Sequence, residues 1–139
     1  MSEMIFVNLP VADLDSSKAF YSALGFENNP VFTDESAACM VLNAHFAVML
    51  ITHPRWREFT DRPIPPKGAS EVMIAVPREN REAVDATLDI AQKHGGTADV
   101  NAKQDLGFMY NRSLTDLDGH IWEVFWMDMA AFPGNAQQG

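Results

Sequence analysis

Glu123 is an ionisable residue inside the otherwise apolar run 121–126. Strand alternation sets it on the opposite face from Trp122, Val124 and Trp126. A carboxylate on an apolar strand face can carry a proton to or from a ligand, or help to hold a hard cation. A second carboxylate, Glu71, opens the strand-like segment 71–76, where it reads equally well as a solvated strand start. The four histidines are less pointed. His53 closes a strand-like run and reads first as a rim residue, His45 and His120 fall in turns, and His94 lies near a helix C-terminus, where the dipole favours an imidazolium. Cys39 is the single cysteine, which excludes an intramolecular disulfide and a thiolate-rich zinc site.

The elements that must position these groups follow from periodicity. Residues 4–11 alternate, with Ile5, Val7, Leu9 and Val11 on one face. Asp13 has the character of a helix N-cap. Leu14, Ser17, Phe20, Tyr21 and Leu24 then recur at helical spacing, and Gly25 stands where a helix ends. Strands are predicted near 26–32, 38–42 and 46–53, with a short helical turn over 54–60. Residues 62–68 read RPIPPKG, a composition foreign to the interior of any regular element, and are assigned as a linker. The pattern then restarts: a strand over 71–76, a helix over 80–94 with Val84, Thr87, Leu88 and Ala91 inward, and strands near 97–101, 108–115 and 120–127. Val7, Leu9 and Val11 correspond to Val72, Ile74 and Val76, 65 positions later. The expectation is a single domain made of a first βαβββ module (1–61), a linker (62–68) and a second βαβββ module (69–139).

Period two also names one face of these strands as a candidate cavity wall: Phe6 and Asn8; Ala47, Met49, Ile51 and His53; Glu71, Met73 and Ala75; Ile121, Glu123 and Phe125. Apolar walls with a few polar handles are the composition of a ligand pocket. Met109, Tyr110 and Arg112, in the run 107–113, are within reach of its mouth, with the register of that run left open. The formal charge of −9 argues against nucleic acid and anionic membrane surfaces as partners and is compatible with a cationic ligand. The start MSEMIFVNL lacks the basic opening and apolar run of a signal peptide, and no stretch approaches the ~18 apolar residues of a membrane span, so a cytoplasmic protein is expected.

Two motifs carry a family resemblance. Val11, Asp13, Leu14, Ser17, Phe20, Tyr21, Leu24, Gly25 and Phe26 fill every fixed place of V-x-D-L-x-x-S-x-x-F-Y-x-x-L-G-F, and Asp116, Asp118, Gly119 and Glu123 match D-P-D-G-x-x-x-E, with Leu117 in place of the proline. The chain thus resembles the glyoxalase / bleomycin-resistance / extradiol-dioxygenase (vicinal oxygen chelate) superfamily. The resemblance implies an α+β fold in which two tandem βαβββ modules form a curved, partly open mixed β-sheet barrel with helices outside. It also implies a ligand position on the first and last strand of each module. These positions map to Phe6, Glu71 and Glu123, with a fourth near Met49, uncertain by about two residues because no fixed motif anchors that strand.

Phe cannot ligate a metal, and the Met thioether is mismatched to the divalent metals that such folds use. No cofactor is therefore expected beyond a weakly held divalent metal on Glu71 and Glu123. Two functions stay open at this point, with an accessory or regulatory module as a third. One is a lyase- or dioxygenase-like enzyme on a small oxygenated substrate, with Glu123 and Glu71 as acid/base groups or weak metal ligands; a standard glutathione-dependent glyoxalase is not expected. The other is a non-catalytic protein that sequesters a drug or metabolite, in the manner of bleomycin-resistance proteins. In either case Phe6, Asn8, Met49, Ile51, His53, Met73, Met109, Tyr110 and Phe125 are the expected ligand contacts. Surplus apolar surface on both strand faces, and the resemblance, point to a homodimer.

Overall fold

The structure, a computed structural model, describes residues 3–131. It is of the α+β class, with two mixed sheets of four and five strands, neither closed into a barrel. The chain divides at Glu71/Val72 into two compact units, and the segment Asp116–His120 belongs with the first. Among the described residues no helix is long and apolar enough to cross a membrane.

In the first unit β1 (Ile5–Val11) leads into helix α1 (Leu14–Ala23), followed by β2 (Glu27–Asn29), β3 (Ala37–Asn43), β4 (Phe46–Thr52) and the short helix α2 (His53–Trp56). The sheet order is β1-β4-β3-β2, with β1 and β4 parallel and the other pairs antiparallel. Asp13 caps α1, its carboxylate accepting from the Ser16 N–H at 3.1 Å. Gly25 takes a φ of +100° just beyond the helix, a conformation costly for any residue with a Cβ. Leu9, Val11, Ala38, Met40, Val48 and Leu50 are buried on the sheet face that α1 covers with Leu14, Ser17, Phe20 and Tyr21. Each large side chain of that core contributes about 1.5–3 kcal/mol by leaving water.

The second predicted strand is shorter than its apolar content suggested. Pro30 has no N–H to give a ladder, and the Asn29 side chain accepts from the Val31 N–H at 3.0 Å, so Pro30–Phe32 forms a 3-10 turn instead.

The turn Asp116–His120 is fixed in the first unit by side chains. Asp116, 3% exposed, accepts from the Tyr21 hydroxyl at 2.5 Å and from the backbone N–H groups of Asp118 and His120 at 3.0 and 2.9 Å. Burial pushes its carboxyl above the usual carboxylate range despite these donors. Asp118 accepts from the Ala12 N–H at 2.8 Å and the Ser17 hydroxyl at 3.4 Å. His120 sets Nε2 2.8 Å from the Pro10 carbonyl, so that nitrogen carries the proton. A Cβ on Gly119 (φ +91°) would lie 2.2 Å from the Lys67 carbonyl oxygen.

The second unit repeats the order. β5 (Met73–Pro77), α3 (Arg81–Lys93), β6 (Thr97–Ala98), β8 (Met109–Thr115) and β9 (Ile121–Met127) match the first module element for element, and β7 (Gln104–Asp105) is an added strand on β8. The described strands therefore number nine against the eight expected. Sheet order is β5-β9-β8-β6, again with the outer pair β5 and β9 parallel. Asn80 caps α3 through the Ala83 N–H at 2.8 Å, and Val84, Thr87, Leu88 and Ala91 are its buried stripe. β6 ends after two residues because Asp99 takes a φ of +55° and gives its carboxylate to Arg112 at 2.7 Å.

Candidate functional site

Each sheet packs one face under its helix and carries a cavity on the other, although Cys39, Ala47 and Ile51 on that face of the first sheet are themselves buried. The ladders fix which side chains share the open face. In the first sheet Asn8 pairs with Met49 and Met49 with Cys39, while Phe6 pairs with Ala47 and Pro10 with Ile51. These side chains point away from α1. A cavity of about 490 Å³ opens there, floored by Asn8, Ala37, Met49 and Ile51 and walled by Val31, Phe32 and Phe59. Phe6, Val31, Phe32 and Phe59 are each more than half exposed. Large apolar groups left exposed around a hollow are open to a small molecule or to another surface. Arg55 closes one side, paired with Glu58 at 2.7 Å and lying 4.7 Å from the centre of the Phe59 ring.

In the second sheet Met73 pairs with Ile121, Ala75 with Glu123 and Pro77 with Phe125; across the next ladder Glu123 pairs with Ser113, Phe125 with Asn111 and Met127 with Met109. All of these share the face away from α3. Met109, Asn111, Glu123, Phe125 and Met127 line a cavity of about 260 Å³. Glu123 is half-buried and accepts from the Asn111 Nδ2 at 3.3 Å. The Asn111 Oδ1 is buried with no hydrogen-bond partner. An unpaired buried acceptor costs about 1–3 kcal/mol, so it marks a place where a donor is wanted.

The expected contacts divide accordingly. Phe6, Asn8, Met49 and Ile51 lie on the open face of the first sheet, and Met73, Met109, Glu123 and Phe125 on that of the second. His53 does not join them, because β4 ends at Thr52 and His53 begins α2, where it lines a different cavity of the first unit. Tyr110 also departs. It pairs with Trp126 on the helix side of the sheet and donates to Asp85 of α3 at 2.6 Å. Arg112 shares that face, paired with Asp85 at 2.9 Å and Asp99 at 2.7 Å. Glu71 is exposed and precedes β5, so it takes no part in the ladder that carries Glu123.

Asn111 is the residue that sequence reasoning missed. It stands two positions after Met109 and shares its face by period two, but nothing in the run 107–113 fixes the strand's register before the β8–β9 ladder is known.

The register also identifies the first-module counterpart of Glu123. Ala75, opposite Glu123, is 65 positions after Pro10, and Pro10 pairs with Ile51. The fourth ligand position is therefore Ile51 rather than Met49, and Ile51 offers no donor atom. Phe6 offers none either, and Glu71 lies outside the ladder. Among the described residues no three His, Cys, Asp or Glu side chains are grouped to hold a metal. The donor set does not fit a metal of the kind that the superfamily resemblance implies. What remains is a pair of hydrogen-bond acceptors, the Glu123 carboxylate and the Asn111 Oδ1, on a wall of methionine and phenylalanine.

Comparison with known proteins bears on the fold. Residues 3–43 match a family described as bleomycin resistance protein-like N-terminal. A hypothetical protein from S. aureus superposes with a TM-score of 0.76 at 27% identity, covering 91% of this chain and 95% of its own. A glyoxalase/bleomycin resistance protein/dioxygenase family enzyme from Burkholderia phytofirmans PsJN gives 0.74 at 16% identity, covering 91% and 99%. A glyoxalase-related enzyme from Fulvimarina pelagi gives 0.74 at 18%, covering 91% and 88%. No curated protein matches the chain. The resemblance read from the two motifs is met in the N-terminal family match and in the fold over 91% of the chain.

Proposed function

Taking the glyoxalase, bleomycin-resistance and dioxygenase superfamily fold as premise, we propose that this protein binds a small organic molecule on the open face of its second sheet, without a metal at the superfamily's ligand positions. The observation that carries the reading is the acceptor pair of Glu123 and Asn111 on an apolar wall. An ionised carboxylate only accepts, and the Asn111 amide gives it one N–H, keeping its second N–H and an unpartnered Oδ1. The ligand group that the Glu123 carboxylate asks for is a donor: an ammonium, a guanidinium or a protonated ring nitrogen. Methionine and phenylalanine side chains around it suit an aliphatic or aromatic body, and methionine adapts its shape to it. A charge-assisted hydrogen bond at Glu123 would supply the larger part of the polar affinity.

Proton transfer is the second reading, and one observation favours it. Glu123 has a single hydrogen-bond partner among the described side chains, Asn111 at 3.3 Å, so its carboxylate is free to take a proton from a bound substrate.

A thermal-shift screen tests the proposal. It should contain primary amines and guanidines with their uncharged isosteres, and bleomycin, which the names of several relatives carry. Stabilisation by the charged members, lost in Glu123→Gln, supports the reading. Equal stabilisation by the uncharged members refutes it.

A further inference from the structure

The chain carries 19 acidic and 10 basic residues, yet one cavity of the first unit inverts that balance. It encloses about 390 Å³, and its ionisable lining is His53, Arg57, Lys67, Asp118 and His120. Asp118 has both oxygens engaged, by the Ala12 N–H and the Ser17 hydroxyl. His120 gives its Nε2 proton to the Pro10 carbonyl. That leaves Arg57, Lys67 and the His53 ring, none of which makes a side-chain hydrogen bond or ion pair with a described residue. Of the five other arginines, Arg55, Arg81 and Arg112 are paired with carboxylates, and Arg78 turns to the Thr87 hydroxyl and the Pro77 carbonyl. Cationic groups left unpaired around a cavity, in a protein rich in carboxylates, need a reason.

The cavity is also built rather than incidental. Its walls include Pro65 and Pro66 of the linker, whose rings fix the backbone ahead of Lys67. The Lys67 carbonyl sits against Gly119 so closely that any Cβ there would overlap it. Gly119 in turn belongs to the turn that Asp116 and Asp118 hold by side-chain hydrogen bonds. The segment that looked like a plain linker is thereby pinned, and Lys67 is held at the rim.

We infer that this cavity is a second binding site, for a small organic anion: a carboxylate or phosphate group met by Arg57, Lys67 and His53, with a compact apolar body against Pro10, Ile64 and Leu117. Arg57 can grip either anion in bidentate fashion, and Lys67 adds a point charge. The inference does not depend on the acceptor site at Glu123, which asks for a ligand of opposite charge.

The probes are inorganic phosphate, phenyl phosphate and benzoate, titrated into the whole protein by calorimetry and by proton NMR of the imidazole signals. Phenyl phosphate should bind more tightly than inorganic phosphate and shift the His53 and His120 signals. The double variant Arg57→Gln/Lys67→Gln should lose at least tenfold in affinity. The charge-matched control Lys18→Gln/Lys93→Gln should lose less than twofold. Arg57, Lys67 and Lys93 are exposed and Lys18 half-buried, so folding is expected to survive, and the NMR titration of the unaltered protein stands without either variant. Equal losses in the two double variants would show a response to net charge only and overturn the site. So would unmoved His53 and His120 signals, or no binding of any probe at millimolar concentration.

Discussion

The Tyr21 hydroxyl donates to the Asp116 carboxylate across a 2.5 Å hydrogen bond, and Asp116 is 3% exposed. The two residues are 95 positions apart, one in each of the motifs by which the chain is recognised. Tyr21→Phe removes the donor and leaves a buried carboxylate with backbone partners only. The expected cost is about 1–3 kcal/mol, read as a lower urea midpoint with an unchanged denaturant slope. A midpoint equal to that of the unaltered protein would show that the bond contributes nothing.

Asp116 also gives a pH signature. Burial raises its folded-state pKa above the ordinary 3.8, so the folded state holds the proton where the unfolded chain has released it. Its contribution to stability is full below 3.8 and is lost as pH rises through the folded value. Asp116→Asn should therefore show a flatter stability profile than the unaltered protein on the alkaline side of 3.8. Urea unfolding across that range measures it, and parallel profiles would contradict it.

The network on the covered face of the second sheet has the opposite sign. The Arg112 guanidinium holds Asp99 below the usual carboxylate range, and Asp85 is lowered by the Tyr110 hydroxyl and then by Arg112. Their contribution is present above 3.8 and disappears as pH falls through the lowered values. Arg112→Ala should cost about 1 kcal/mol at neutral pH, because both carboxylates are partly solvated and such pairs are worth about 0.2–1 kcal/mol each. It should also weaken the acid dependence below 3.8. An unaltered acid limb would place the dependence elsewhere.

β1 and β5 each end the strand order of their sheet, and Ile5, Phe6 and Met73 on them are more than half exposed. Apolar edge strands are templates for pairing with another chain. We propose a second copy as that partner, because two edges of the same character in one chain suit a two-fold assembly. Light scattering at micromolar concentration should give twice 15.4 kDa. A mass of one chain would contradict the pairing.

The architecture was readable because period two, helical spacing and capping residues all spoke for the same elements. Asp13, Gly25 and Asn80 end or begin helices where their chemistry says they should. Boundaries failed where a side chain competes with the ladder, as Asn29 and Asp99 do. The candidate site was legible only in part. Glu123 stood out because it breaks an apolar run, whereas Asn111 lies in a polar stretch whose parity the ladder alone fixes. Tyr110 was misplaced for the same reason, and Glu71 because β5 begins two residues after it. The roles of Asp116 and Asp118 rest on partners some 100 positions away, which no local spacing reveals.

The acceptor pair of Glu123 and Asn111 is the centre of this account. Its most direct test is a calorimetric titration of 2-phenylethylamine against its uncharged isostere 2-phenylethanol, with the unaltered protein, Glu123→Gln and Asn111→Leu. The amine should bind at least tenfold more tightly than the alcohol. Glu123→Gln should remove most of that preference, and Asn111→Leu should reduce it. Equal affinity for amine and alcohol, or a preference that survives both substitutions, would contradict the role of the pair.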